Sequence, residues 1–232
     1  MQKHLVIGAV AVGLAVAPAL IPPIDIPPDR DALEMRVDPV VVPDGEITVE
    51  VVSVNGSGCP AGTAEVSVSE DKKAFTVTYS DYLAQTGVGA GVTDFRKNCQ
   101  LSVLVHVPSG FTFGIAQADY RGFAYFEPGA SGVLRANYYF QGMSQTVSSN
   151  HVFNGGDDGY VDDWIVTDQV PVASTVFLPC GAQRNLNINT SLRVNAGTSD
   201  PTSTTSLMTM DSTDGSFSTL YHFTWMACPP VR

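Results

Sequence analysis

The chain has 232 residues, of which 44% are hydrophobic, enough to build the core of one β domain or at most two small ones. Its 12 lysines and arginines against 23 acidic residues give a formal net charge of −11. This charge argues against nucleic-acid binding, which needs a basic face, and against binding to anionic membrane surfaces.

The chain begins with a pattern typical of a secretion signal. Lys3 precedes an apolar run over residues 5–16 that is too short to span a bilayer, and Ala17-Pro18-Ala19 supplies a small-x-small cleavage site. Residues 1–19 are therefore predicted to be a signal peptide, with cleavage before Leu20. Because no second hydrophobic run approaches membrane-spanning length, we expect a secreted protein without membrane insertion.

The segment 20–45 differs in composition from the rest of the chain. Its prolines are Pro22, Pro23, Pro27, Pro28, Pro39 and Pro43. Since proline fixes φ and lacks a backbone donor, we expect an extended arm. Val37 and the valines at 40–42 predict either the first edge strand of the same domain, which we favour, or a strand that pairs with a partner's sheet.

From Glu46 onward, hydrophobic residues alternate with polar ones. The alternation recurs about ten times, and no segment keeps a period of 3.6. The clearest runs are 47–51, 66–68, 75–79, 101–107, 111–115, 133–140, 186–194 and 220–226. Turn signals separate them, at Asn55-Gly56, Ser109-Gly110, Pro128-Gly129, Asn154-Gly155-Gly156 and Asp214-Gly215. The pattern predicts an all-β domain over residues 46–232, an antiparallel β-sandwich or jelly roll.

Two finer predictions follow from the same alternation. In the last run, Tyr221, Phe223 and Trp225 share one face, and so dense an aromatic face is expected in the core rather than in a binding platform. The polar residues 197–206 are expected to form a loop rather than a domain boundary.

The four cysteines, Cys59, Cys99, Cys180 and Cys228, form an even, widely spaced set without a CxxC pair. In a secreted chain this favours two structural disulfides over a metal site. Of the three connectivities we predict Cys59–Cys99 and Cys180–Cys228, since each pairs sequence neighbours and closes a loop of about 40 to 50 residues.

Several short runs together resemble one family of small secreted proteins of bacteria and filamentous fungi, which carry the domain of unknown function DUF4360. The runs are Asn55-Gly-Ser-Gly-Cys-Pro60, Phe95-Arg-Lys-Asn-Cys-Gln100, Asp119-Tyr-Arg-Gly122, Asn137-Tyr-Tyr-Phe140, Pro179-Cys-Gly181, Leu186-Asn-Ile-Asn189 and Trp225-Met-Ala-Cys228. The resemblance covers residues 47–229 and implies a secreted, disulfide-bonded, β-rich domain. It implies no activity and no catalytic residues.

Nucleophilic catalysis is one candidate function. His106, His151 and His222 accompany many serines and aspartates, but no GxSxG elbow is present, since residues 129–132 continue with Val133 where the last glycine belongs. His106 and His222 lie in alternating runs and are expected to be ordinary strand histidines. A cleft that collects His151, the acidic segment and Arg121 would favour catalysis, whereas a flat or strand-edge surface would favour binding.

An acidic segment is the second candidate. Asp157, Asp158, Asp162 and Asp163 cluster within 154–164, which we interpret as a glycine-containing loop. Such a loop can bind calcium, although the spacing does not fit an EF-hand, and a solvated acidic turn without any cofactor is the favoured interpretation. Carboxylate pairs can also hydrolyse glycosides if they face each other across a sugar.

Asparagines form the third candidate. Asn55 and Asn189 each begin an N-glycosylation pattern. Asn187 and Asn189 alternate on one strand face, with Asn185 just before them, and predict a polar ladder on the solvent face, with a recognition face as the alternative.

Together these patterns favour an extracellular binding or structural protein whose partner is an extracellular protein or a carbohydrate. The alternatives are an extracellular enzyme acting on a polysaccharide or peptide, and an inhibitor or toxin component that docks to a protein.

Overall fold

The computed structural model describes residues 43–171, 175–210 and 219–229. Within these ranges the protein is all-β, with twelve strands in two antiparallel sheets and no helix. The strands are β1 (Thr48–Asn55), β2 (Ala64–Val68), β3 (Ala74–Tyr79), β4 (Leu83–Gly87), β5 (Arg96–His106), β6 (Phe111–Phe126), β7 (Ser131–Phe140), β8 (Val147–Asn154), β9 (Tyr160–Gln169), β10 (Leu186–Asn195), β11 (Thr205–Thr209) and β12 (Thr219–Ala227). The predicted fold class, an antiparallel β-sandwich with two disulfides, is confirmed.

One sheet has five strands, in the order β1-β5-β10-β7-β8. The other has seven, in the order β2-β3-β12-β6-β11-β4, with β9 also paired to β6. Strand β6 is 16 residues long. Its first half pairs with β12, its second half with β9, and residues 124–125 with β11. The edge strand β8 of the five-stranded sheet is joined to β9 by the short turn 155–159, so the sequence returns directly from one sheet to the other.

The core lies between the inward faces of the two sheets. In β10 the buried positions alternate strictly with less buried ones along Leu186–Val194, the period of two expected for a strand with one solvated face. Tyr221, Phe223 and Trp225 are all buried, and the Tyr221 ring stacks on Phe75 with 4.9 Å between centroids. The prediction that this aromatic face belongs to the core is confirmed. Burial of the Phe223 side chain alone contributes roughly 1.5–3 kcal/mol.

Both disulfides have the predicted connectivity. Cys59, in the turn after β1, is bonded to Cys99 of β5, and both are buried in the core. Cys180, in the segment before β10, is exposed and is bonded to Cys228, just after β12. The turn that carries Cys59 approaches β5 closely at Gly56, where φ is 145° and a Cβ would lie 2.1 Å from the Asn98 carbonyl oxygen. That position therefore requires glycine.

Several predictions fall on residues outside the described ranges: the signal peptide, the arm up to residue 42 and the turn at 214–215. The last residues of the predicted arm are described. Pro43 is buried, and the Gly45 carbonyl accepts a hydrogen bond from Lys72 Nζ, so this end of the arm contacts the sandwich. The described part of the chain contains no helix that could cross a membrane.

Candidate functional site

The outward side chains of the five-stranded sheet form polar rows that cross the strands, because directly opposite residues of antiparallel strands share a face. One row is Asn55, Gln100, Asn189, Asn137 and Ser148; the next is Asn98, Ser191, Arg135 and Asn150; Arg96 and Arg193 begin a third. We call these eleven residues the amide–arginine face. They come from all five strands of the sheet, so the face exists only when the sheet is assembled.

Many hydrogen-bonding groups of this face are free of protein partners. Within the described chain, the side-chain amides of Gln100 and Asn189 make no hydrogen bond to protein. Asn137 accepts one hydrogen bond, from Ser148 Oγ at 2.7 Å, through its oxygen alone. Arg135 Nε donates to Asn150 Oδ1 at 2.9 Å. An amide offers two donors and an acceptor, so most of this capacity faces the solvent.

The face is positively charged in a protein of net charge −11. Its charged members are Arg96, Arg135 and Arg193, and its rows contain no aspartate or glutamate. Among the described residues, none of the three arginines lies within ion-pair distance of a carboxylate. Arg193 instead lies over the Phe95 ring, 5.6 Å from its centroid, and donates from Nε to Asn195.

Two depressions on the surface follow the same rows. The first is lined by amides of three neighbouring strands, including Gln100, Asn137 and Asn189. The second is lined by Arg96 together with Arg135, Val133, Ser191, Arg193 and Asn195. Arg96 and Ser191 belong to both linings, so the two depressions are adjacent and form one polar surface.

The predicted polar ladder is part of this surface. Asn187 and Asn189 both point outward from β10, as the alternation indicates, whereas Asn185 donates to Ser102 Oγ. The two glycosylation patterns begin at residues of one row, with Asn55 exposed and Asn189 half-buried. A glycan on Asn189 would therefore cover the centre of the face.

His151 is part of a polar cluster on the inward side of β8, the edge strand of the five-stranded sheet. Its Nε2 lies 2.6 Å from Oδ1 of Asp168, and Ser149 Oγ donates to the other carboxylate oxygen. Burial and the neighbouring Asp168 carboxylate raise the pKa of Tyr138 well above its usual value. Because Ser149 bonds to the aspartate rather than to the histidine, the cluster lacks the nucleophile–base pair of a serine hydrolase.

A second histidine–aspartate pair, His222 with Asp119, lies on the outward face of the seven-stranded sheet. The His222 Nε2 lies 2.8 Å from Asp119, which also accepts hydrogen bonds from Thr167 and Gln117. Burial opposes ionisation of Asp119, but the hydrogen bonds outweigh it and lower the pKa of that carboxyl. Thr167 again bonds to the aspartate, so this pair also lacks an activated nucleophile. His106 makes only an exposed contact with Glu50, 3.6 Å away.

The acidic segment is not the continuous loop that we predicted. Asp157 and Asp158 lie in the turn 155–159, but Asp162 and Asp163 are consecutive residues of β9. Successive strand residues point to opposite faces, so these last two carboxylates cannot converge. In the described residues no group of three or more acidic, histidine or cysteine side chains is arranged to hold a metal ion.

The cleft that would have favoured catalysis is also not formed. Arg121 lies on β6 in register with Ile165, on the outward face of the seven-stranded sheet. His151 is in register with the fully buried Leu134 and points inward to Asp168.

Sequence reasoning missed the two aspartate partners and the arginine cluster. One sequence feature could have indicated the arginine cluster: the polar positions of β5, β7 and β10 hold amides and arginines rather than charges of both signs.

Comparison with known proteins gives three findings. A family model described as "Domain of unknown function (DUF4360)" matches residues 45–228. An uncharacterized secreted protein from Arthroderma benhamiae is 36% identical over 205 residues, which are 88% of this chain and 78% of that protein. The solved structure of TmCBM61 in complex with β-1,4-galactotriose matches with 11% identity and a TM-score of 0.29, over 78% of this chain and 88% of that one. A likeness at this level carries no argument about function.

The relative is a secreted protein, and the two disulfides fit an oxidising compartment, so the predicted extracellular location is confirmed. The family match covers every described residue except 43, 44 and 229, and it agrees with the resemblance of the motifs. The chain belongs to the DUF4360 family.

Proposed function

We propose that the protein is an extracellular carbohydrate-binding protein and that the amide–arginine face is its binding surface. The observation that carries this proposal is the row of side chains from Asn55 to Ser148, in which amides from four adjacent strands have unused donors and acceptors. Sugars present many hydroxyl groups, each a donor and an acceptor, and side-chain amides can bond to both kinds of group at once.

The composition of the face supports ligand binding over simple solvation. A solvated sheet face usually carries charges of both signs, which pair across strands. Here the rows hold amides, serines and arginines but no carboxylate, although acidic residues outnumber basic ones in the chain. The depressions are lined mainly by polar groups, which suits a hydroxylated ligand better than an apolar one.

The geometry of the histidines does not favour the enzymatic alternative. Both His151 and His222 are bonded to aspartates that also accept hydrogen bonds from hydroxyl groups, those of Ser149 and Thr167. An activated nucleophile would have to bond to the histidine itself.

The test is binding to a panel of extracellular polysaccharides, comprising cellulose, chitin, xylan, mixed-linkage glucan and polygalacturonate, measured by sedimentation or by affinity electrophoresis. The double variant Gln100→Ala/Asn189→Ala should weaken binding at least tenfold, with an unchanged unfolding temperature. The matched control is Gln169→Ala, which removes an exposed amide from β9 of the other sheet. Equal binding by the double variant and the control would refute the proposal for this face.

A further inference from the structure

Arg96 of β5 lies directly opposite Arg193 of β10, as the last pair of the register between these strands. Directly opposite residues in antiparallel strands have Cβ atoms roughly 4.5–5.5 Å apart, and like charges at such positions destabilise a sheet. Arg135 of β7 is in register with Ser191, two residues before Arg193, so a third guanidinium borders the same depression.

Nothing in the described protein neutralises this cluster. The acidic residue nearest to Arg96 along the chain, Asp94, is paired instead with Lys97, whose Nζ lies 2.8 Å from its carboxylate. Three guanidiniums without a carboxylate lower the stability of the folded protein, because they repel one another at neighbouring positions of the sheet. A planar guanidinium that has no carboxylate partner within the protein is suited to bind an external carboxylate or sulfate through two parallel hydrogen bonds.

We propose that the ligand of the face is an acidic polysaccharide, whose carboxylate or sulfate groups bind to Arg96, Arg135 and Arg193 while its hydroxyl groups bind to the adjacent amides. This inference rests on the proposed function and specifies its substrate class. An acidic protein is a weaker candidate, because the arginine depression contains a single aliphatic side chain, Val133, and protein interfaces are built around buried apolar or aromatic anchors.

The experiment compares polymers that share a backbone and differ in charge. Polygalacturonate is compared with its fully methyl-esterified form, dextran sulfate with dextran, and poly-L-glutamate serves as a polyanion without sugar. We expect binding to at least one acidic polysaccharide, at least tenfold weaker binding to its neutral counterpart, and weak binding to poly-L-glutamate. The pair that responds identifies the anionic group as a carboxylate or a sulfate. Added salt should weaken the binding, because exposed charges are screened.

The arginines are tested in the same assay. Arg96→Gln and Arg193→Gln should each weaken binding of the acidic polymer roughly tenfold, since a hydrogen bond to a charged group is lost. Arg193→Lys should restore only part of the affinity, because lysine keeps the charge but lacks the planar fork. The control is Arg121→Gln, on the outward face of the other sheet.

The outcomes separate this inference from the proposed function. The inference would be overturned if binding were equal for the acidic and neutral forms and were insensitive to the arginine variants. In that case the Gln100/Asn189 variant would still test whether the face binds the polymer. Equal binding to poly-L-glutamate and to the acidic polysaccharide would overturn the assignment to a sugar. A failure to bind every polysaccharide in both panels would overturn both proposals.

Discussion

His151 of β8 and Asp168 of β9 are joined by a hydrogen bond of 2.6 Å between the edge strand of one sheet and a strand of the other. Ser149 donates to the same carboxylate, so two residues of β8 are held by one residue of β9. Only the turn 155–159 links these strands through the chain. The cluster therefore joins the two sheets through polar groups at the β8 edge of the sandwich.

The first prediction concerns this cluster. Asp168→Ala should lower the free energy of unfolding by about 1–3 kcal/mol, because His151 and Ser149 would lose their partner in a largely desolvated position. Urea denaturation measures the change. The neighbouring Gln169→Ala, at an exposed position, should change the stability by less than about 0.5 kcal/mol. If the two variants were equally stable, the cluster would have no role in holding the sheets together.

The second prediction is an acid-dependent loss of stability through Asp119. Because the folded protein lowers the pKa of this carboxyl, ionisation favours folding. The contribution is fully present above the unfolded value of about 3.9 and is lost as the pH falls through the lower folded value. Asp119→Asn should therefore be less stable than the parent at neutral pH, and the difference should shrink as the pH falls below the lowered pKa of Asp119. Thermal unfolding across this pH range checks the prediction, with the exposed Asp158→Asn as control. A constant difference at all pH values would contradict it.

The third prediction is that the two disulfides differ in their accessibility to reductant. Cys180 is exposed, whereas Cys59 and Cys99 are buried. Thiol–disulfide exchange requires access to a sulfur, so the Cys180–Cys228 bond should be reduced first under native conditions. Trapping with an alkylating reagent followed by peptide mapping measures the order. Simultaneous reduction of both bonds, while the protein is still folded, would be inconsistent with this arrangement.

The fourth prediction concerns calcium. Since Asp162 and Asp163 lie on opposite faces of β9, we expect the same unfolding temperature in millimolar calcium and in EDTA. If the unfolding temperature were higher in calcium, and this increase disappeared in Asp157→Asn/Asp158→Asn, the turn would be shown to bind the ion.

The fifth prediction is that Arg96, an arginine of the amide–arginine face, destabilises the free protein. Arg96→Gln removes the repulsion with Arg193 and should raise stability by about 0.5 kcal/mol, or roughly 1–2 °C in unfolding temperature. High salt should abolish the gain, because it screens the same repulsion in the parent protein. A loss of stability at low salt would mean that Arg96 has a structural role instead.

Strands with one mostly apolar face could be predicted from the sequence, and others could not. In β10 every inward residue from Leu186 to Val194 is buried, so the alternation is clear. In β9 the inward positions include Asp162 and Asp168 and the outward ones include Val161 and Ile165, so neither face is apolar and the sequence pattern predicts a loop over part of the strand. The end of the predicted loop 197–206 likewise belongs to the five-residue strand β11. Such short strands show too few alternations to be recognised.

The candidate site depended on information that the sequence does not contain. The ladder of Asn187 and Asn189 follows from alternation within one strand. The arginine cluster depends on the register of β5 with β10 and of β10 with β7, which pairs Arg96 with Arg193, 97 positions apart, and Arg135 with Ser191, 56 positions apart. A shift of one residue would have turned Arg193 to the core side. The partners Asp119 and His222, separated by 103 positions, are equally invisible without the fold.

The most direct test of carbohydrate binding by this face is a two-dimensional NMR titration of the ¹⁵N-labelled protein with an oligogalacturonate. We predict saturable shift changes at the backbone and side-chain amides of Gln100, Asn137 and Asn189 and near Arg96 and Arg193, with little change in β6 and β9. Carbohydrate binding by this face would be contradicted by shift changes confined to the seven-stranded sheet. It would also be contradicted if oligosaccharide fragments of every polysaccharide in the panel caused no shift changes.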